Sequence, residues 1–351
     1  MKKYKICKTI LVILAVFLCV VFYELLGICI AYKKQPEVSD TTRKETKNES
    51  WKKSSENAER AVIIEKNPEA LLQRVRLIQN AKEDIILSTF AFQSDESGKL
   101  ILGALLDAAD RGVHVRLLVD GMESWIDMEG NPYFYGLSSH ENVEIKLYNK
   151  ANPLKPWKMM GRMHDKYLIA DGKIYILGGR NTYNYFLGDF PGHKNYDRDV
   201  LVVCNEPEKE NSVNQLSDYF ETIWEQEDCG YFHNSKKLAN RKSVKNAVSE
   251  LKKGYQRYFE ENKGRICDID YTDETFETEK IALVSNPIHT GSKEPVVWYQ
   301  LGELMKNAKD RVKIHTPYII CNDMMYNTWE EIAERVSDFS IMTNSVANNG
   351  N

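Results

Sequence analysis

The chain has 351 residues, enough for one large domain or two ordinary ones, and its 42% hydrophobic content supports a packed core. A formal net charge of −4 excludes the global basicity of a dedicated nucleic-acid binder, though not a local basic site. The 7 cysteines include no C-x-x-C pair and no Cys/His cluster of metal spacing, so neither a zinc site nor a disulfide framework is expected.

The first element is an apolar run from Ile10 to Tyr32, broken by a single charge at Glu24. Its length suffices to cross the ~30 Å hydrocarbon core of a bilayer. Lys2, Lys3, Lys5 and Lys8 precede it, which predicts a cytoplasmic tail over 1–9 and a single-pass cell-membrane anchor over 10–32. No A-x-A-like cleavage site follows, and the run outlasts a signal-peptide core, so an anchor is expected in place of a cleaved signal. Residues 33–60 are polar and charged with almost no aliphatics. They cannot bury enough surface to fold alone, and a flexible tether is expected there.

An internal repeat organises the rest. Asn80-Ala81-Lys82-Glu83 leads into a strand, and Asn307-Ala308-Lys309-Asp310 does the same. Each lead follows a stretch of helical periodicity, and a second helix and strand follow each: Leu100 to Ala109 then Val113 to Val119, and Trp329 to Arg335 then Phe339 to Thr343. Helices alternating with strands imply a layered α/β fold with a mostly buried sheet. The expected units are 61–275 and 276–351.

The chemistry-bearing motif is His164-Asp165-Lys166, with Asp171 five residues after the lysine and Gly178-Gly179-Arg180-Asn181 following. Asp171-Gly172 separates two apolar strands, a hairpin signal of type I′. A two-residue loop sets Ala170 against Lys173 and His164 against Gly179. His164 and Lys166 then project from one face, Gly179 leaves room for a tetrahedral phosphate, and Asn181 offers an amide on the same side. An imidazole can attack phosphorus at neutral pH, while an ammonium and an amide stabilise charge on the non-bridging oxygens. No metal or other cofactor is required by this scheme.

These residues resemble the phospholipase D superfamily, whose motif is H-x-K-x4-D-x6-G-[SG]-x-N, and the context R-M-H-x-K, G-G-R-N and D-R-D-V is most similar to its cardiolipin synthase branch. The resemblance implies a phospholipase D-like layered α/β domain with a mixed sheet. It implies His164 as nucleophile forming a phosphohistidine, Lys166 and Asn181 holding the phosphate beside Gly179, and Asp171 as the structural member of the catalytic motif. It also implies Asp199 as the group that orients His164, with Asp197 an equally placed rival. Two-motif members carry a second H-x-K, and the register of the repeat would put it beyond Asn351. A truncated second repeat is therefore expected, with the missing acid/base histidine supplied by further chain or by a homodimer partner. Leu154-Lys155-Pro156-Trp157-Lys158-Met159-Met160, with Arg162, Lys194 and Arg198, suits an anionic phospholipid such as phosphatidylglycerol at a membrane surface. The resemblance implies a membrane-anchored phosphatidyltransferase of cardiolipin synthase type. The alternatives are hydrolysis of phospholipid or nucleic acid, and an inactive tethered binding domain.

Overall fold

The computed structural model describes residues 2–48, 59–206, 211–267 and 269–345. These residues form two compact units, one drawn from residues 2–33 and 59–283, the other from 34–48 and 284–345.

The first unit opens with α1 (Lys2–Ala31), in which Ile6–Ala31 is long and apolar enough to cross a membrane. A helix α2 (Asp40–Lys47) comes next in the chain and belongs to the second unit. The first unit continues with β1 (Glu59–Ile64), α3 (Asn67–Asn80), β2 (Asp84–Thr89), α4 (Glu96–Asp110), β3 (His114–Asp120), α5 (Gly121–Asp127), α6 (Pro132–Ser138) and β4 (Val143–Tyr148). The hairpin strands β5 (Tyr167–Ala170) and β6 (Ile174–Gly178) follow, then β7 (Asp199–Cys204), α7 (Ser212–Trp224), β8 (Cys229–Tyr231), α8 (Lys236–Ala239), α9 (Lys242–Ile266), α10 (Tyr271–Glu274) and β9 (Phe276–Glu277).

All nine of these strands form one sheet in the order β8-β4-β3-β2-β5-β6-β7-β1-β9. The run β4-β3-β2 is parallel and the hairpin joins β2 antiparallel, so the sheet is mixed, as expected. Both faces are covered, which is why the strands read as continuous apolar runs. Alternate residues of β3 show this: Val115, Leu117 and Val119 enter the main core with residues of α3, α4 and α9. Arg116 turns the other way, to Phe220 at 5.0 Å and Glu221 at 2.6 Å on α7.

The second unit adds α11 (Val296–Lys306), β10 (Arg311–His315), α12 (Asp323–Arg335) and β11 (Asp338–Met342) to α2. Strands β10 and β11 pair in parallel with Arg311 opposite Asp338, and β2 and β3 pair in parallel with Asp84 opposite His114. Those are the same repeat positions, so the second unit reproduces the helix–strand–helix–strand order and pairing register of the first.

The polar stretch after α1 departs from the expected tether. Ser39 caps α2 by accepting from Thr42 N–H, its own N–H donates to Glu294, and Arg43 lies over the Tyr299 ring at 5.4 Å. The helix is held by partners some 250 residues away in sequence, which local composition cannot reveal. Residues 49–58 of the expected tether lie outside the described residues.

Candidate active site

One edge of the sheet collects the motif. At that edge Thr89 and Asp120 end β2 and β3, Tyr167 begins β5, Gly178 ends β6 and Asp199 begins β7. The carboxyl ends of parallel strands are where open α/β sheets place ligands, because the diverging loops leave a crevice there.

The hairpin that carries the motif is shifted by one residue from the expected register. Asp171 and Gly172 both have positive φ, 52° and 57°, and Lys173 N–H closes the turn on Ala170 C=O. Ala170 nevertheless pairs with Ile174, because Lys173 is an extra residue whose carbonyl accepts from Cys204 N–H on β7. His164 is therefore not opposite Gly179. Asp171 turns its carboxylate back onto the start of β2, accepting from the backbone N–H groups of Lys82, Glu83 and Asp84 at 2.8–3.1 Å. It fastens the far end of the hairpin and does not approach the motif end.

His164 lies in an extended segment just before β5, exposed on one side and walled on the other by Phe90. The two rings meet edge to face with centroids 4.5 Å apart. The same Phe90 face takes Lys166 Nζ at 5.2 Å and the Arg162 guanidinium at 5.1 Å, so one aromatic ring gathers an imidazole and two cations. Lys166 is buried and its Nζ donates to the His164 carbonyl at 2.6 Å. Burial lowers the Lys166 pKa to about 8, against the opposing pull of Asp165, Asp197 and Asp120. His164 is also lowered, by loss of solvent and then by Lys166 and Arg162, while Asp120 acts in the other direction. Asn181 is buried, with its Oδ1 accepting from Ala91 N–H at 3.2 Å, which leaves its amide NH2 as the donor available to a ligand.

Asp120 was not singled out by sequence. Its carboxylate is 1% exposed and accepts from Met122, Glu123 and Met163 N–H and from the Arg162 guanidinium, the last at 2.6 Å. A strand-end aspartate before a helix reads as an ordinary N-cap, and nothing local signals the contacts made from 40 residues away. Phe90, one residue past the end of β2, likewise carries no local signal that its ring will gather these groups.

Two expected roles change. Asp199 does not orient His164: its carboxylate is fully buried between Arg74 at 2.9 Å and Arg180 at 3.2 Å. Arg180, itself fully buried, also donates to the carbonyls of Ile64 and Glu65 and to Asn67 Oδ1. Nor does Gly179 leave an open pocket. A Cβ there would lie 2.1 Å from an Asp197 carboxylate oxygen, so the space that glycine vacates holds a carboxylate, not a phosphate. The Asp197 carboxylate pulls the Lys166 pKa upward, against burial.

A family model described as cardiolipin synthase, PLD-like domain, matches residues 74–224, the stretch that carries all of these groups from Arg74 to Asp199. Residues 74–224 match a phospholipase D-like domain. Relatives of the chain include an uncharacterized protein of Helicobacter pylori strain 26695, 27% identical over 84% of this chain and 61% of the relative. Cardiolipin synthase C of Escherichia coli K12 is 31% identical over 40% of this chain and 31% of the synthase. The chain thus spans less than two thirds of the length of these relatives. Among solved structures, phosphatidylserine synthase of Haemophilus influenzae shares the fold with a TM-score of 0.56 at 15% identity, covering 87% of this chain and 66% of the synthase.

Proposed function

We propose that the phospholipase D-like domain is a membrane-anchored phosphatidyltransferase of cardiolipin synthase type, working through a phosphohistidine on His164. The observation that carries this reading is the gathering of His164, Lys166 and Arg162 on the Phe90 ring, with the imidazole exposed on its other side and held below its ordinary pKa. A neutral imidazole at neutral pH has a lone pair to offer phosphorus.

In the first step an imidazole nitrogen of His164 attacks the phosphorus of an anionic phospholipid such as phosphatidylglycerol. The P–N bond forms, the P–O bond to the headgroup breaks, and the leaving alkoxide takes a proton from a general acid. Lys166 and the Asn181 amide hold the non-bridging oxygens as charge redistributes over them. In the second step the conjugate base of that acid takes the proton from a hydroxyl of a second lipid, whose oxygen attacks phosphorus. The new P–O bond forms, the P–N bond breaks and His164 is freed. Water as acceptor gives hydrolysis through the same intermediate.

The proton donor is proposed to come from a second copy of the motif, in further chain or in a homodimer partner. The described histidines of this unit are otherwise engaged: His114 with Glu144, His140 with Asp110, His233 with Glu129, and His193 against the Tyr185 ring.

The test uses the protein in vesicles with phosphatidylglycerol labelled in the phosphatidyl group. Rapid quenching in neutral dodecyl sulfate, which spares the acid-labile P–N bond, should leave label covalently on the wild-type chain and none on His164→Ala. Label retained by the variant would remove the nucleophile assignment. Excess glycerol in the same assay separates transfer, which it diverts, from hydrolysis, which it leaves alone.

A further inference from the structure

The half-buried positions of α1 lie on one stripe at its carboxyl end, Glu24, Gly27, Ile28 and Ala31, at the spacing of a helix face. This stripe packs on the loop that precedes the motif. Tyr23 donates its hydroxyl to the Leu154 carbonyl at 3.1 Å, and a Cβ on Gly27 would lie 2.5 Å from the Pro156 ring, so only glycine allows the approach. The contact fixes a depth. At about 1.5 Å per residue, Gly27 lies ~6 Å and Tyr23 ~12 Å back along α1 from Ala31. The whole apolar stretch is ~39 Å long on the same rise, against a ~30 Å hydrocarbon core, so a few ångström project at each end. The loop therefore meets α1 at the level of the headgroup–acyl boundary.

The surface at that level has the matching chemistry. Leu154, Trp157 and Met160 on the loop are exposed, and so are Trp125 (68%) and Ile126 (65%) on α5. The loop and α5 are joined through a cavity of ≈ 200 Å³ whose lining includes Met122, Lys155, Met159 and Arg162, together with Glu227 and the Asp228–Lys158 ion pair at 2.6 Å. Arg162 Nη1 contacts Met122 Sδ at 3.4 Å, and Arg162 stands two residues before His164.

Resting on the anchored reading above, we propose that α5 and residues 154–160 form a membrane-docking face, seated in the interface of the bilayer that α1 crosses. Trp125, Ile126, Leu154, Trp157 and Met160 enter the acyl boundary, and Lys155, an exposed lysine of the cavity lining, meets lipid phosphates. Tryptophan beside lysine is the composition that settles at such a boundary, with rings in the apolar layer and ammonium groups in the wet one. A phospholipid then reaches Arg162 and His164 through the cavity without leaving the membrane.

The full chain is reconstituted in phosphatidylcholine–phosphatidylglycerol vesicles whose acyl chains are brominated close to the headgroup, and tryptophan quenching is read. Trp125→Phe and Trp157→Phe should each lose part of the quenched signal. Both side chains are exposed, so neither change threatens the fold. An unchanged quenched fraction in both variants overturns the proposal. So does emission in detergent that shifts to the blue as protein concentration rises, which assigns the face to a second copy. Lipid depth is read without turnover, so an inactive protein with quenched Trp125 and Trp157 would defeat only the enzymatic reading.

Discussion

The Asp120 carboxylate accepts the backbone N–H of Met163 at 3.0 Å, one residue before His164, and in the same place holds the Arg162 guanidinium. A single buried carboxylate from the end of β3 thus sets where the motif segment leaves the sheet and how much positive charge stands beside the imidazole.

Asp120→Asn should lower kcat by about 10²-fold with a much smaller change in KM, because small displacements of a nucleophile cost rate before they cost binding. Asp120 raises the His164 pKa, so its neutralisation should move the acid limb of the pH profile to lower pH. NMR titration of His164 checks the shift directly. An unchanged titration would limit Asp120 to a purely structural role.

The pH dependence of kcat/KM should be bell-shaped with both limbs set at the motif. Protonated His164 cannot attack, and its lowered pKa puts the acid limb below the ordinary imidazole value of about 6.5. Lys166 binds phosphate only while charged, and its pKa of about 8 makes activity fall as pH rises through that value. Lys166→Arg stays charged throughout and should remove the alkaline limb even if the maximal rate is lower.

Asp199→Asn should destabilise the domain by about 3–5 kcal/mol, since it leaves two buried guanidinium groups without their counter-ion. A thermal melt reads this as a Tm fall of roughly 10 °C. His164 should titrate as in the wild type, because Asp199 is engaged with Arg74 and Arg180 and does not face the imidazole.

Asp171→Ala should cost about 1–3 kcal/mol by stripping three backbone N–H groups of their acceptor and by placing alanine at a positive φ. Asp171→Asn keeps an acceptor oxygen and tolerates that backbone conformation, so it should recover most of the loss. Chemical denaturation of the two variants separates these outcomes.

The repeat, the mixed sheet and the nearness of His164 to Lys166 were legible because each rests on short-range signals: period, an Asp-Gly turn, fixed spacing along one strand. The misses share a cause. The extra residue at Lys173 depends on Cys204 N–H in another strand, Asp199 is claimed by Arg74 from a helix 125 residues earlier, and Asp197 fills the gap beside Gly179. Helix α2 belongs to the same class, a polar segment ordered by distant Glu294 and Tyr299. Alternation along a strand gives the face on which a side chain stands, but not which of several distant charges will neutralise it.

The side chains that meet on the Phe90 ring come from residues 162–166 alone, while residues 183–196, in the connection from β6 to β7, carry none of them. On the proposed function, such a layout would separate the machinery that breaks a phosphodiester from a wall that chooses what is admitted. Exchanging 183–196 between relatives is then a route to a new acceptor preference on an unaltered catalytic floor.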